Sequence, residues 1–558
     1  MKQFDPLTYL GPYRNVMYKG LWPTLPEMLD ITVKKFPDRT AFHVFNPEEL
    51  SFTYAEVQAK CRQVAAYLSE IGIKKGDKVG VTGKNTPEWA FAYLSVLYAG
   101  AVIVPIDYAL NMEEASALLT EAEIKALFAD EEVYEYYCRE HGNEYKIFSL
   151  AKDKDEYILD LGASAQPRIE LPLENDLAAI LFTSGTTGSA KGVMLSHANL
   201  VSDCYSAQEH MNIFHTDVFY ALLPLHHSYT MLAVFIEALS VGAKIIFGKS
   251  LAVRHIMKEM KEGRVTMFLG VPMLFNKIIK ALMKGIRKKG IVVYIILRVI
   301  MSFSGAVKKL TGLNIGKKLF GKILDKVSLR DNRICISGGG PLPASTFRLY
   351  NQLGIDFVQG YGLTETSPIL CLNPTYAFNV NSVGKILPQV EGKIFNPDSD
   401  GVGEFCVKGP MVMRGYYKNP DATAEVIDSE GWLHTGDMGY LDKKNYLYLT
   451  GRAKSLIVTE GGKNVFPEEI EDKFQLYDEI EQILIRGYVL NAKMKTEGIE
   501  ALIYPSPDPE MNVSEKRINE IIAEVNKELR SYQKIQKISI VGKPMEMTST
   551  KKIKRFLV

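Results

Sequence analysis

Between residues 55 and 71 the apolar positions Val57, Cys61, Val64, Ala65, Leu68 and Ile71 return every three or four residues, which marks one face of a helix. Gly72 stands where such a helix stops. Short unbroken apolar runs follow at 79–81 and 101–105, with a helical stretch around 88–98 between them. Strand, helix, strand in that order implies a parallel sheet covered on both faces. The alternation resumes with runs at 177–182, 243–247 and 334–337. From about 384 to 449 the texture changes to short strands punctuated by Gly401, Gly403, Pro410, Gly415, Gly431 and Gly439, which predicts a small β-rich unit. Helix and strand alternate again after Gly451, and a domain boundary is placed there.

At 558 residues the chain is too long for one compact domain, and 47% hydrophobic with 23% charged residues is the make-up of a globular protein. A formal net charge of +1 gives no global attraction for nucleic acid, so none is expected as a partner. Cys61, Cys138, Cys204, Cys335, Cys371 and Cys406 form no CxxC pair, which argues against a zinc site or a disulfide framework and for a reduced, cytoplasmic setting. Residues 1–10 contain Asp5 and Pro6 and no apolar core of a signal peptide.

The most chemically loaded segment is Thr183-Ser184-Gly185-Thr186-Thr187-Gly188-Ser189-Ala190-Lys191-Gly192, directly after the apolar run 177–182. Glycines and small hydroxyl residues let backbone N–H groups approach phosphate oxygens, and Lys191 adds positive charge. It is not a Walker A loop, because Lys191 is followed by Gly192 rather than Ser or Thr.

Here the chain resembles the adenylate-forming (AMP-binding) superfamily, closest in pattern to bacterial medium- and long-chain fatty acyl-CoA synthetases. The resemblance covers nearly the whole chain, and further segments recur in the family's order. Leu223-Pro224-Leu225-His226-His227 is similar to its proline-x-x-histidine segment, and Ser337-Gly338-Gly339-Gly340-Pro341-Leu342 to its adenine-binding turn. Gln359-Gly360-Tyr361-Gly362-Leu363-Thr364-Glu365-Thr366 resembles its nucleotide and magnesium motif, and Trp432-Leu433-His434-Thr435-Gly436-Asp437 its ribose motif. Gly451-Arg452-Ala453-Lys454 resembles its hinge and Lys551-Lys552-Ile553-Lys554-Arg555 its C-terminal lysine motif.

The resemblance implies an α/β protein with a large N-terminal domain, 1–450, of mixed and parallel sheets with the β-rich unit inside it. A small mobile α+β C-terminal domain, 451–558, follows. It implies ATP, Mg²⁺ and coenzyme A, and an acyl-adenylate intermediate. A carboxylate attacking ATP meets a like-charged electrophile, so the triphosphate must be neutralised and held in line. Thr183, Ser184, Gly185, Thr186, Thr187, Gly188 and Lys191 would hold phosphates, Glu365 the metal, and Thr364 the α-phosphate. Tyr361 offers a flat face to adenine between Gly360 and Gly362, beside Gln359 and the Gly338–Gly340 turn. Asp437 has oxygens for both ribose hydroxyls, and Arg452 is a second ribose or phosphate contact. His227 would stand between acyl site and phosphates. Lys552 would stabilise charge on the transferring groups, and Lys454 would be the hinge. About that hinge the C-terminal domain would rotate, withdrawing Lys552 and presenting the 460–464 stretch to the thiol. Read alone, Glu365 is a solvated loop glutamate and 551–555 a solvated basic tail; the motif context changes both readings.

Amino-acid-activating relatives place an aspartate where this chain has Tyr229, and the following run 231–239 is apolar except for Glu237. That favours a medium- to long-chain fatty acid, although the default reading of such a run is a buried core helix. Coenzyme A is the expected acceptor and a phosphopantetheinyl carrier protein the alternative. A luciferase-like oxygenase and a non-catalytic lipid- or nucleotide-binding scaffold complete the readings.

One stretch stands apart from the motifs. Residues 277–330 hold fourteen Lys and Arg against one acid, Asp325, a local excess of +13 around the apolar run 291–303. Thirteen residues fall short of the ~20 that span a bilayer. The segment is expected either to lie against an anionic membrane, as a peripheral protein of the cytoplasmic face, or to pack as a charged helical insertion.

Overall fold

The computed structural model describes residues 5–46, 48–165, 167–184, 190–248, 252–459, 463–491, 496–508, 511, 513–547 and 553–558. The expected helix is there at Tyr54–Glu70, its start fixed by a capping box of Thr53 and Glu56, with Val57, Cys61, Val64, Ala65 and Leu68 fully buried. Pro87–Tyr98 is apolar all round and buried at every position but Glu88. It joins two parallel neighbours, Lys78–Thr82 and Val102–Ile106, of a six-stranded sheet. That sheet ends in an antiparallel hairpin, Leu177–Ser184 with Ala190–Ser196. The glycine-rich segment lies in sequence between these two strands; Gly185, Thr186, Thr187 and Gly188 lie outside the described residues.

The second sheet has thirteen strands. One half is largely parallel, with Lys244–Phe247, Val218–Ala221, Met267–Gly270 and Ile334–Ser337 as neighbours. The other half is antiparallel and holds the strands between Ile369 and Arg452. The β-rich unit expected inside the N-terminal domain is hydrogen-bonded directly into the large sheet. The join is a single strand, Asp356–Gly362. Residues 356–359 pair in parallel with Ile334–Ser337, and 360–362 pair antiparallel with Ile369–Leu372. Gly362 permits this change of partner, since a Cβ there would sit 1.6 Å from the Pro368 carbonyl oxygen. One extensive core cluster draws on strands of both large sheets and the helices between them.

After Arg452 a single 3₁₀ turn, Ala453–Ser455, leads to a three-stranded sheet of Ile480–Asn491, Thr496–Pro505 and Lys537–Ile540. Helix Glu515–Glu528 covers it, and Ile485, Ala501, Ile518, Ile521 and Val525 belong to a core cluster of their own.

The basic segment is helical. Pro272–Arg287 packs into a second core cluster, and Ile291–Thr311 follows. The apolar run 291–303 is only the first part of that helix. It runs for 21 residues, which is long enough to cross a bilayer. The apolar run stops at Phe303, before Ser304, Gly305 and the pair Lys308-Lys309, and the helix continues through all of them. Lys308 turns inward and pairs with Asp356 at 2.6 Å.

Candidate active site

Both halves of the large sheet and the terminal hairpin of the six-stranded one open onto a single cleft of about 3470 Å³. That is several times the ~300–1,000 Å³ of a small-molecule pocket, so it has room for more than one substrate. Among the described residues predicted for the site, Thr183, Lys191, His227, Gly338, Gly339, Gly340, Gln359, Gly360, Tyr361, Gly362, Thr364, Glu365, Asp437, Arg452 and Lys454 all line it. Ser184 ends its strand. Lys552 lies outside the described residues, and the Ile553 that follows it lines the cleft.

Two clusters organise the polar wall. In the first, Asp437 and Arg452 are register partners across the hairpin of Leu433–Leu441 and Tyr446–Arg452. Their side chains meet at 3.0 Å, Nε to Oδ1. The Tyr361 hydroxyl donates to Oδ2 of the same carboxylate at 2.7 Å. Burial, and then the Asp437 charge, hold the Tyr361 phenol well above its usual pKa, while the charge of Asp437 raises that of Arg452. A carboxylate oxygen has two lone pairs, so each oxygen of Asp437 keeps one for a further donor. The ribose role needs just this: two acceptors held rigidly on a buried carboxyl. The preceding turn is braced as well, because Glu404 accepts from the Gly436 N–H at 2.9 Å and meets His434 at 2.8 Å.

The second cluster contains a residue the sequence reading missed. Glu365 sits in the 3₁₀ turn Thr364–Thr366, its carbonyl accepting from Met413 N–H at 2.9 Å. Its carboxylate accepts from the Tyr416 hydroxyl at 2.8 Å. The Lys191 ammonium lies over the ring of the same tyrosine, 4.8 Å from its centroid. Tyr416 reaches this place because residues 415–417 add to the edge of Ala190–Ser196. Val193 bridges Tyr416, Met194 N–H donates to the Gly415 carbonyl, and Tyr417 N–H donates to the Gly192 carbonyl. One phenol thereby spaces a cation from a carboxylate. The only sequence signal was an aromatic pair after Gly415, in a segment read merely as strand-and-turn.

Ser228 and Thr364 hydroxyls meet at 3.1 Å and tie the histidine segment to the Glu365 turn. His227 precedes that serine; the neighbouring His226 is turned to Asp107, Nε2 to Oδ1 3.2 Å, and the two imidazoles lie 4.2 Å apart. Tyr229 donates its hydroxyl to the Ile336 carbonyl at 3.1 Å and packs on Gly338, where a Cβ would come within 2.9 Å of the ring. No acid occupies that position, as the sequence indicated. The run after it is mainly core: Met231, Leu232, Phe235 and Ile236 are buried, and of residues 230–239 only Thr230 and Ala233 reach the cleft. Glu237, the polar exception, is pushed up to about 8 by burial, which favours its uncharged form.

The third wall comes from beyond Arg452. Gln475 Nε2 donates to the Pro341 carbonyl at 3.2 Å, beside the glycine turn. The basic C-terminal stretch is not simply solvated among its described residues. Lys554 faces Glu546 at 3.6 Å, and Arg555 is held by Glu471, by Glu468 at 3.7 Å and by the Ile485 carbonyl. Burial raises Glu471 to about 7, with Arg555 opposing it.

Residues 29–417 match the AMP-binding enzyme family. The chain is 30% identical to the long-chain-fatty-acid–CoA ligase ACSBG2 of Rattus norvegicus, over 80% of this chain and 72% of that one. It is 30% identical to the long-chain-fatty-acid–CoA ligase heimdall of Drosophila melanogaster, with the same coverage. Among solved structures, ATP-bound MatB from Rhodopseudomonas palustris superimposes with a TM-score of 0.75 at 24% identity, over 96% of this chain and 98% of that one.

Proposed function

The chain belongs to the AMP-binding enzyme family, and from that premise we propose that it joins a medium- to long-chain fatty acid to coenzyme A in two steps. In the first, a carboxylate oxygen of the acid attacks the α-phosphorus of ATP, the bond to the bridging oxygen breaks, and pyrophosphate leaves with that oxygen. In the second, the coenzyme A sulfur, as thiolate, attacks the acyl carbonyl carbon, the carbon–oxygen bond to phosphate breaks, and AMP leaves.

One observation carries the reading: the Lys191–Tyr416–Glu365 cluster and the Tyr361–Asp437–Arg452 cluster face the same cleft. One combines a cation and a carboxylate, which suits a metal-bound triphosphate; the other presents a buried carboxylate to a vicinal diol. The bond from Tyr416 uses one of the ~4 lone-pair sites on the Glu365 carboxylate, so the group fits a Mg²⁺ ion as a ligand. Mg²⁺, when bound there, would neutralise charge on the phosphate oxygens. Tyr416 orients Glu365, and Lys191 supplies a second positive charge from the strand Ala190–Ser196. Asp437 fixes the ribose, and the absence of an acid at Tyr229 leaves nothing for a substrate amine. Lys552 enters with the C-terminal unit for the first step and leaves for the second, turning at Ala453–Ser455 about Lys454. The names of the relatives support a fatty acid and coenzyme A as substrates.

The test is a panel of acids from acetate to long-chain fatty acids, amino acids and aryl acids, with ATP, scored as thiol-dependent AMP. The proposal expects AMP and acyl-CoA in equal amounts, rising with chain length. AMP formed only with amino or aryl acids would overturn the substrate. AMP formed only with a phosphopantetheinyl carrier protein would overturn the acceptor.

A further inference from the structure

Helix Ile291–Thr311 has two apolar faces, and the protein uses one. Tyr294, Leu297, Met301, Ser304 and Lys308 recur every three or four residues and point inward. Lys308 anchors that face, donating to Asn351 at 2.6 Å and pairing with Asp356. At 3.6 residues per turn the opposite face carries Val292, Ile295, Ile296, Val299, Phe303 and Leu310, all exposed, with Val299 at 64% and Leu310 at 84%. Single exposed apolar residues are ordinary, but a continuous stripe of this length marks an interaction surface.

Charge identifies the occupant. Lys284, Arg287, Lys288 and Lys289 precede the helix, Lys309 lies near its end, and all are exposed. Three of the fourteen cations in 277–330 are paired with acids elsewhere: Lys277 with Glu481, Lys280 with Asp478 and Lys308 with Asp356. The segment's one acid, Asp325, faces Lys261 from outside it. The remaining excess is concentrated enough that Lys289, through its contact with Lys326 and the like charge there, is held below the usual lysine pKa. An apolar stripe flanked by unneutralised cations complements lipid tails beneath anionic headgroups.

We propose that this helix and its basic flanks dock the protein on an anionic lipid bilayer. The helix lies in the interface and does not cross it, although 21 residues would suffice, because its inner face is packed on the domain and held by the Lys308–Asp356 pair. Tyr294 on the helix and Arg287 before it also line the rim of the cleft, so the docked pose sets the cleft mouth at the lipid surface. The docking does not depend on which reaction the cleft performs.

The experiment is co-sedimentation of the full chain with vesicles of phosphatidylcholine alone or with phosphatidylglycerol, at low and high salt. It includes Lys288→Glu/Lys289→Glu/Lys309→Glu and, separately, Val299→Asp/Phe303→Asp. These positions are solvent-exposed, so both variants fold, and sedimentation velocity without lipid reports self-association. Wild type is expected to bind anionic vesicles and to release steeply with salt. Each cation at such a surface multiplies binding roughly fivefold, so losing three costs roughly 100-fold, and the three negative charges put in their place weaken the triple variant further. The Val299/Phe303 variant loses the part that survives high salt. Wild type ignoring anionic vesicles at low salt, or the triple variant binding them equally well, overturns the proposal. So does a wild-type dimer that Val299→Asp/Phe303→Asp converts to monomer, which would assign the stripe to a second copy of the chain.

Discussion

Replacing Glu365 by glutamine is expected to lower acid-dependent adenylation by on the order of 10²–10³, the scale of the several kcal/mol a metal ion supplies to developing phosphate charge. Glutamine keeps the volume and an oxygen that accepts from Tyr416, so the 2.8 Å contact and the Thr364–Thr366 turn persist. What disappears is the negative charge facing the cleft. Tyr416→Phe separates the two contributions: it keeps the charge, removes the bond that orients it, and should fall well short of the Glu365→Gln loss. Thermal unfolding of both variants should stay close to wild type. Near-normal pyrophosphate exchange in Glu365→Gln would contradict the metal role.

Changing Lys552 to alanine should separate the two half-reactions. Loss of one oriented cation at a developing charge costs on the order of 10²–10³ in rate, and the cost should fall on adenylate formation. Thioester formation from preformed acyl-adenylate should be nearly intact, because in the proposed two-pose scheme the lysine would be withdrawn for that step. The following residues are engaged structurally, Lys554 with Glu546 and Arg555 with Glu471. A loss from Lys552→Ala therefore cannot be ascribed to the general charge of the tail if Lys551→Ala is mild. Equal losses in both half-reactions would contradict the two-pose scheme, and a larger loss from Lys551→Ala would move the catalytic role by one position.

The elements most legible in the sequence were those whose burial repeats locally. Val57 to Leu68 forms one buried face because each contact partner lies one helical turn away. The glycine, histidine and Thr-Gly-Asp segments were legible as motifs, and their spatial convergence followed from family order rather than from periodicity. What escaped depends on pairing between distant strands. Nothing near Gly384 says that its strand will join Ile369–Leu372 and Tyr446–Arg452, so the sequence showed a β-rich stretch but not its place in the large sheet. Tyr416 was invisible for the same reason, since its place is set by a bridge to Val193, more than two hundred residues away. The apolar run was read only to Phe303, because hydropathy does not show that the helix Ile291–Thr311 continues to a Lys308 that turns inward to pair with Asp356.

Adenylation precedes thiol transfer in the proposed reaction, and isotope exchange between pyrophosphate and ATP without coenzyme A tests that order most directly. With wild-type protein, Mg²⁺ and a long-chain fatty acid, label should enter ATP without any thiol, and the exchange should vanish when the acid is omitted. Exchange that requires coenzyme A, or release of orthophosphate in place of pyrophosphate, would contradict an acyl-adenylate formed in this cleft.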